Sequence, residues 1–201
     1  MKWGLIGCVG LLAVALILGL WVAGTYNRLV GLDQGVQAQW GQVQTAYQRR
    51  ADLVPNLVET VKGAASFEKE TFTAVTEARA KVGQISGDAL KNAINDPAAF
   101  AKFQAAQDGL SSALSRLMVV VEKYPDLKAT QNFSSLQAQL ESIENSIAVE
   151  RKRYNESAQG FNTTRNTFPT VVLVGFFGDK FREKPYFKAQ EGAEKAPQVK
   201  F

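Results

Sequence analysis

The sequence predicts an all-α protein, an N-terminal transmembrane helix followed by helices packed antiparallel against one another. Three observations carry that expectation. The stretch Leu5–Ala23 contains no charged residue. From Leu29 onward apolar residues recur at intervals of three and four, the period of a helix with one buried face. The periodic segments are punctuated by prolines at Pro55, Asp96-Pro97 and Tyr124-Pro125, where a helix must end, restart or bend.

Composition narrows the function. A chain of 201 residues holds one membrane segment plus one domain with a modest core. Hydrophobic residues make up 46% and charged residues 21%, a balance that belongs to folded chains. The formal charge of +4 is small and dispersed, which excludes a concentrated nucleic-acid-binding face and fits weak attraction to anionic lipid. Histidine is absent, so the usual neutral-pH base and the commonest metal ligand are missing. The single cysteine, Cys8, allows no intramolecular disulfide.

At 1.5 Å per residue, Leu5–Ala23 reaches roughly 28 Å, close to the thickness of a hydrocarbon core. It has no polar face, unlike a core helix of a water-soluble domain. Trp3, Trp21 and Tyr26 flank it as interfacial aromatics. The rival, a cleaved signal peptide, is disfavoured by a lone basic residue at Lys2, a long apolar run and a poor cleavage site at Ala23-Gly24-Thr25. Leu5-Ile6-Gly7-Cys8 has the composition of a lipobox, but only four residues precede it. The charge flanks scarcely fix orientation. A short tail before a large domain fits a signal anchor with the domain on the far side of the membrane from the cytoplasm.

The helix is expected to continue beyond Tyr26. Leu29, Leu32, Val36, Trp40, Val43 and Tyr47 make its apolar line, with glutamines on the opposite faces. Gly31, Gly35 and Gly41 each weaken a helix by about 1 kcal/mol relative to alanine, and make sense where another helix packs closely. Pro55 is expected to kink or restart the helix, with Asp52 near a new N-terminus and Arg49 and Arg50 at the end of the old one. A second helix then runs from Leu57 through Val61, Ala64, Phe67 or Glu68, Phe72 and Val75 to about Val82. Gly83 to Gly87 is a turn, and Asp88 caps a short helix ending near Asn95. Asp96-Pro97 is a cap with proline at the first helical position. The next helix has its seam at Phe100, Phe103, Gln107, Leu110, Leu114, Leu117 and Val121. It ends at Tyr124-Pro125-Asp126-Leu127-Lys128. The last long helix begins near Asn132 or Ser134, with an apolar face of Leu136, Leu140, Ile143, Ile147, Tyr154 and Phe161. Its run Arg151-Lys152-Arg153 reads as a solvated face. The segment Phe168 to Gly178 is apolar, β-branched and too short to span a bilayer; it packs on the bundle, on the membrane or on a neighbouring subunit. Glu191 to Phe201 is expected to be extended.

Positive evidence for catalysis is lacking. Glu68 and Glu70 point to different faces of a helix, and Glu141 and Glu144 read as an acidic surface. Serine or cysteine nucleophiles have no histidine base, and no glycine-rich phosphate loop follows a strand. The expectation is a protein with no catalytic residues, no metal ligands, no cofactor, no small-molecule substrate and no nucleic-acid partner. The candidate residues are therefore interaction residues: the polar corner Arg49, Arg50, Asp52 and Asn56, then Trp40, Phe176 and Phe177, with Trp3, Trp21 and Tyr26 as membrane anchors.

The chain resembles the LemA family along almost its whole length. The likeness lies in Tyr26-Asn27-Arg28-Leu29-Val30, Trp40 to Val43, Gln48 to Val58, Thr60 to Gly63 and Ala78-Arg79. It continues in Tyr124 to Ala129, Arg153-Tyr154-Asn155, Asn166 to Pro169, Lys184 to Phe187 and Gly192 to Pro197. A departure is Phe67-Glu68, where the family often has His-Glu, so any general role of that histidine is absent here. The resemblance implies a bacterial single-span membrane protein with an elongated antiparallel helical bundle, and implies no known reaction. Some relatives are linked to membrane organelle formation or sit beside membrane proteases. The expected organisation is an anchor at 1–25, a LemA-like bundle at 26–165 and an apolar, then extended, tail at 166–201. The expected role is a non-enzymatic scaffold at the bacterial inner membrane. It spans that membrane once, contacts lipid and self-associates into a homo-oligomer, with its domain on the periplasmic side. The alternative is an adaptor for another membrane protein such as a membrane protease.

Overall fold

The protein, seen in a computed structural model, is described here over residues 2–188 except 66 and 86; the side chains of residues 2–8, 64, 88 and 89 lie outside the description. The described residues form helices joined by short turns, with no strand among them. Seven α-helices run in chain order: α1 (Lys2–Ala64), α2 (Lys69–Gln84), α3 (Gly87–Asn92), α4 (Pro97–Val121), α5 (Pro125–Lys128), α6 (Gln131–Asn166) and α7 (Thr170–Phe176). Short 3₁₀ turns at Ala93–Asn95 and Gly178–Phe181 follow α3 and α7.

Helix α1 is 63 residues long, about 95 Å at the α-helical rise. The apolar span and the first bundle helix are therefore one element. The side-chain contacts set the direction of the other helices. Arg79 of α2 meets Ala51, and Leu90 of α3 meets Trp40, so the chain from α2 to α3 descends beside α1. Trp40 packs on Phe100, and Arg50 bonds Gln107 and Ser111, so α4 ascends parallel to α1. Arg50 pairs with Glu144 and Trp40 packs on Tyr154, so α6 descends again. This is an up-down-up-down bundle whose short connections place consecutive long helices antiparallel.

The expected break at Pro55 does not occur: the proline lies inside α1. A proline at this position removes the bond that would run back to the carbonyl of Ala51, four residues earlier. That carbonyl accepts instead from Arg79 Nε of α2 at 3.0 Å. Pro55 itself is exposed, so its ring needs no room in the core. The expected second helix is also corrected. It splits at a turn after Ala64, and Phe67 is 93% exposed, no part of the apolar face.

The other boundaries follow local chemistry. Asp96 accepts from the backbone N–H groups of Ala98 and Ala99 at 2.8 and 3.2 Å, with Pro97 at the first helical position, as expected. All seven seam residues expected on α4 are buried. Helix α6 starts slightly earlier than expected, capped by Thr130, whose hydroxyl accepts from the Phe133 N–H at 3.3 Å. Helix α3 begins at Gly87, so Asp88 lies within its first turn and not at the cap position expected for it, and its side chain is outside the description. The expected extended stretch from Glu191 to Phe201 lies outside the described residues.

The core falls into two apolar clusters along the bundle. The membrane-proximal one holds Leu29, Val36, Trp40, Val43, Tyr47, Phe100, Phe103, Ile147, Tyr154 and Phe161. It also takes Val174, Phe181 and Phe187 from the segment after α6, which is thus built into the bundle at one face. The distal cluster gathers Leu53, Val54, Leu57 and Val61 with Phe72, Val75, Leu110, Leu114, Leu117 and Phe133.

Candidate interaction surface

The step of three and four along α1 runs Leu29, Leu32, Val36, Trp40, Val43, Tyr47, Arg50, Val54, Leu57, Val61, and all of these residues are buried except Leu32, which is half-buried. Arg50 thus occupies a core position, 1% exposed. Its Nη1 donates to Ser111 Oγ at 2.6 Å and to Glu144 Oε1 at 3.0 Å. Its Nη2 donates to the Gln107 carbonyl at 3.0 Å and to Gln107 Oε1 at 2.6 Å. The guanidinium also lies 5.0 Å from the ring centroid of Tyr47. In chain position this polar layer lies between the two apolar clusters on α1, α4 and α6. A buried arginine with fixed partners on two helices sets register, because a shifted pairing would strand the charge. The expectation that Arg50 belongs to an exposed corner is corrected for this reason.

Trp40, the second interaction candidate to be placed, is 3% exposed. Its indole N–H donates to the Leu90 carbonyl at 3.0 Å, and its rings pack against Phe100, Phe103, Tyr154 and Phe187. It is a core residue of this chain. Arg49, Asp52 and Asn56 remain on the surface, spaced by three and four on one face of α1. Asp52 accepts from Gln48 Nε2 at 2.7 Å.

The outer face of α1 is small and polar. Gly31, Gly35, Ala38, Gln42, Thr45, Arg49, Asp52 and Asn56 continue the three-and-four step, and all are exposed. A Cβ built on Gly31, Gly35 or Gly41 would meet no atom within 4 Å. The expected close helix approach at these glycines is therefore not made within the chain.

Over residues 9–20 the side chains of α1 are exposed. Val9, Leu11, Leu12, Val14, Leu16, Ile17, Leu18 and Leu20 are 55–73% exposed. Among the described residues this is one helix long and apolar enough to cross a membrane. The side chains of Trp3 and Cys8 lie outside the description. Trp21 is 39% exposed where the run ends. Tyr26, expected as an interfacial aromatic, is half-buried and packs edge-on against Phe177 and Phe181, at 5.2 and 5.6 Å between centroids. Phe177 is half-buried by the same contact, whereas Phe176 is 82% exposed.

The segment after α7 is strapped to α6. Asn162 donates to the Lys184 carbonyl at 2.9 Å and accepts from the Lys184 N–H at 2.8 Å. Asn155 repeats the reciprocal pair with Phe187, and Tyr154 OH donates to the Pro185 carbonyl at 3.0 Å. Lys184 is 2% exposed. Its ammonium lies 2.6 Å from Asp33 Oδ1, an ion pair whose angles fall short of a directional hydrogen bond, and donates to Asn95 Oδ1 at 2.6 Å. Burial raises the Tyr154 phenol pKa far above its ordinary value. Burial also raises that of Tyr47, against the opposing pull of Arg151 and Arg50.

Sequence reasoning missed Arg50 and Lys184 as buried groups, and Arg79 as a donor to the backbone of α1. Continuing the step past Tyr47 reaches Arg50, and counting four back from Pro55 finds a carbonyl in need of a donor. No local signal marks Lys184. Among the described residues no group of three or more His, Cys, Asp or Glu converges on a point.

A long apolar helix running on into a buried bundle defines a class of membrane-associated helical proteins. The chain belongs to the LemA family, whose profile matches residues 39–201. It is similar to magnetosome protein MamQ 1 of Paramagnetospirillum magneticum, 29% identical over 178 residues that cover 80% of this chain and 65% of that protein. MamQ of Magnetospirillum gryphiswaldense is 28% identical over the same shares. Protein LemA of Metamycoplasma hominis is 26% identical over 151 residues, 75% of this chain and 64% of that protein. The chain thus spans about two thirds of the length of these relatives. None of these names is that of an enzyme. With the apolar helix, membership of this family points to a membrane-associated protein.

Proposed function

We propose that the protein is a scaffold anchored by a single span in the bacterial inner membrane, with its bundle on the periplasmic side, and that it self-associates into a homo-oligomer. The observation that carries the reading is the continuity of α1, from a fully exposed apolar run to the central seam of the bundle without interruption. A bundle on such a shaft has no flexible linker, so every copy presents its outer face in one orientation relative to the bilayer. The small, polar line from Gly31 to Asn56 is then held parallel to the same line on its neighbours, open to close approach. Confinement to a plane raises the effective concentration, so weak lateral contacts suffice.

The test is the mass and shape of the detergent-extracted full-length protein, by light scattering and single-particle imaging. A large, discrete, symmetric particle is expected, and a monomer or dimer overturns the scaffold. A second reading, an adaptor for another membrane protein, is favoured by the exposed Arg49, Asp52 and Asn56 on one face. Charge reversal by Arg49→Glu with assembly intact but partner crosslinking lost supports the adaptor; loss of assembly supports the scaffold. Reaction of Ser112→Cys in a Cys8→Ser background with a membrane-impermeant maleimide, in cells with a permeabilised outer membrane, tests the periplasmic placement.

A further inference from the structure

Helix α7 has two apolar faces. One carries Val174 and, just beyond the helix, Phe177, and packs into the membrane-proximal cluster. The other carries Val171, Val172 and Phe176, 43%, 54% and 82% exposed, and is extended by Phe168 at 78%. Exposed apolar surface of this density on a seven-residue helix calls for an occupant.

The position of α7 selects one. Residues 167–170 share a shallow cavity of about 380 Å³ with Trp21, Thr25 and Arg28 of α1. Trp21 ends the apolar run and Arg28 lies seven residues on, about 10 Å along the helix. That interval is the headgroup layer of any bilayer that α1 crosses. Phe177 and Phe181 hold the segment there through Tyr26. The apolar surface of the span and that of α7 are therefore neighbours at one depth. Cations flank them: Arg28 is exposed at the cavity rim, and Lys180 donates to the Tyr26 hydroxyl. Lysine and arginine beside aromatic and aliphatic residues match an interface of acyl chains below and anionic headgroups above.

We infer that α7 and Phe168 insert into the interfacial layer of the same bilayer that α1 crosses, as a second membrane contact at the base of the bundle. The inference rests on the anchored reading above. With two points of attachment that are not collinear, the bundle has a fixed tilt and cannot precess about α1.

The test uses full-length protein with Cys8→Ser and single cysteines at Leu16, Ser112, Val172 or Phe176, each labelled with a small environment-sensitive fluorophore. The protein is reconstituted in phosphatidylcholine–phosphatidylglycerol vesicles bearing a nitroxide on a shallow acyl carbon. Labels at Val172 and Phe176 are expected to lose most of their emission while the label at Ser112 on α4 keeps its own. Phe168→Ser with Phe176→Ser, both at exposed positions, should reverse the loss at Val172 several-fold. If Leu16 is quenched and the two α7 labels are not, the inference is overturned and the anchor stands. If the α7 labels are shielded from water but unquenched, a second protein copy covers the face, and the inference is equally overturned. If Leu16 is unquenched, the anchored reading itself fails.

Discussion

Replacing Arg79 tests how α1 passes through Pro55 unbroken. The Ala51 carbonyl has lost its intrahelical donor to Pro55 and takes Arg79 Nε in its place. Ala51 is 8% exposed, so in Arg79→Met its carbonyl is left without that donor in a largely dry setting. Orphaning such a group costs about 1–3 kcal/mol. Arg79 is itself exposed, which admits some water and puts the expectation near 1–2 kcal/mol. For a chain of this size that is a fall in midpoint of several degrees. Pro55→Ala returns a backbone N–H to the Ala51 carbonyl. In that background Arg79→Met should cost less than about 0.5 kcal/mol, the limit of additivity for uncoupled sites. The assay is guanidinium unfolding of the full-length protein in dodecylmaltoside micelles, followed by far-UV circular dichroism for all four combinations. An equal loss from Arg79→Met in both backgrounds would refute the argument, because the arginine would then act elsewhere than at the freed carbonyl.

Other expectations follow from the buried polar groups. Arg50→Met removes the buried charge but leaves the Gln107 side chain, 3% exposed, with an unmet acceptor, and should cost about 1–3 kcal/mol. Glu144→Gln keeps an acceptor for Nη1 but takes the anion from a buried cation, a loss reduced by the 41% exposure of that side chain, and should cost about 1–2 kcal/mol. Adding Gln107→Leu to Arg50→Met should recover part of the loss, read in the same unfolding assay. Lys184→Met removes the cation from a pair in which Asp33 keeps some exposure, with an expected cost near 3 kcal/mol and faster hydrogen exchange in residues 182–188. Tyr154 and Tyr47 have phenol pKa values raised above 10.0 in the folded state. Their stabilising contribution is fully present below that value, and above it the unfolded chain releases protons that the folded chain keeps. Stability should therefore fall as pH rises beyond about 10, by up to about 1.4 kcal/mol per pH unit for each phenol, and Tyr154→Phe should flatten the slope.

Local chemistry made much of this molecule legible. The uncharged run of α1, the Asp96-Pro97 start of α4 and the seam from Phe100 to Val121 each depend on neighbours within one or two turns, so period and cap chemistry were sufficient. Pro55 read as a break because the rule for prolines considers one helix in isolation; Arg79 arrives from another helix. Arg50 reads as surface because charge usually is, and only four acceptors converging from α4 and α6 make its burial tolerable. The open candidate site was legible in part. Arg49, Asp52, Asn56 and Phe176 are where a surface residue should be, while Trp40 was already on the apolar line that buries it.

The sequence by itself determined that the chain is helical, that its N-terminal run is apolar enough to cross a bilayer, and which faces of α4 and α6 turn inward. Those properties are sums over residues close in sequence. The tertiary structure alone decided that α1 passes Pro55 unbroken, that Arg50 divides the core into two apolar clusters, and that Lys184 locks the last described segment against one face of the bundle. It also placed α7 beside Trp21 and Arg28, at the level where the apolar run ends. Each of these depends on groups tens of residues apart meeting at hydrogen-bond or van der Waals distance. Periodicity carries no record of such meetings, because it reports which face is buried and not what lies against it.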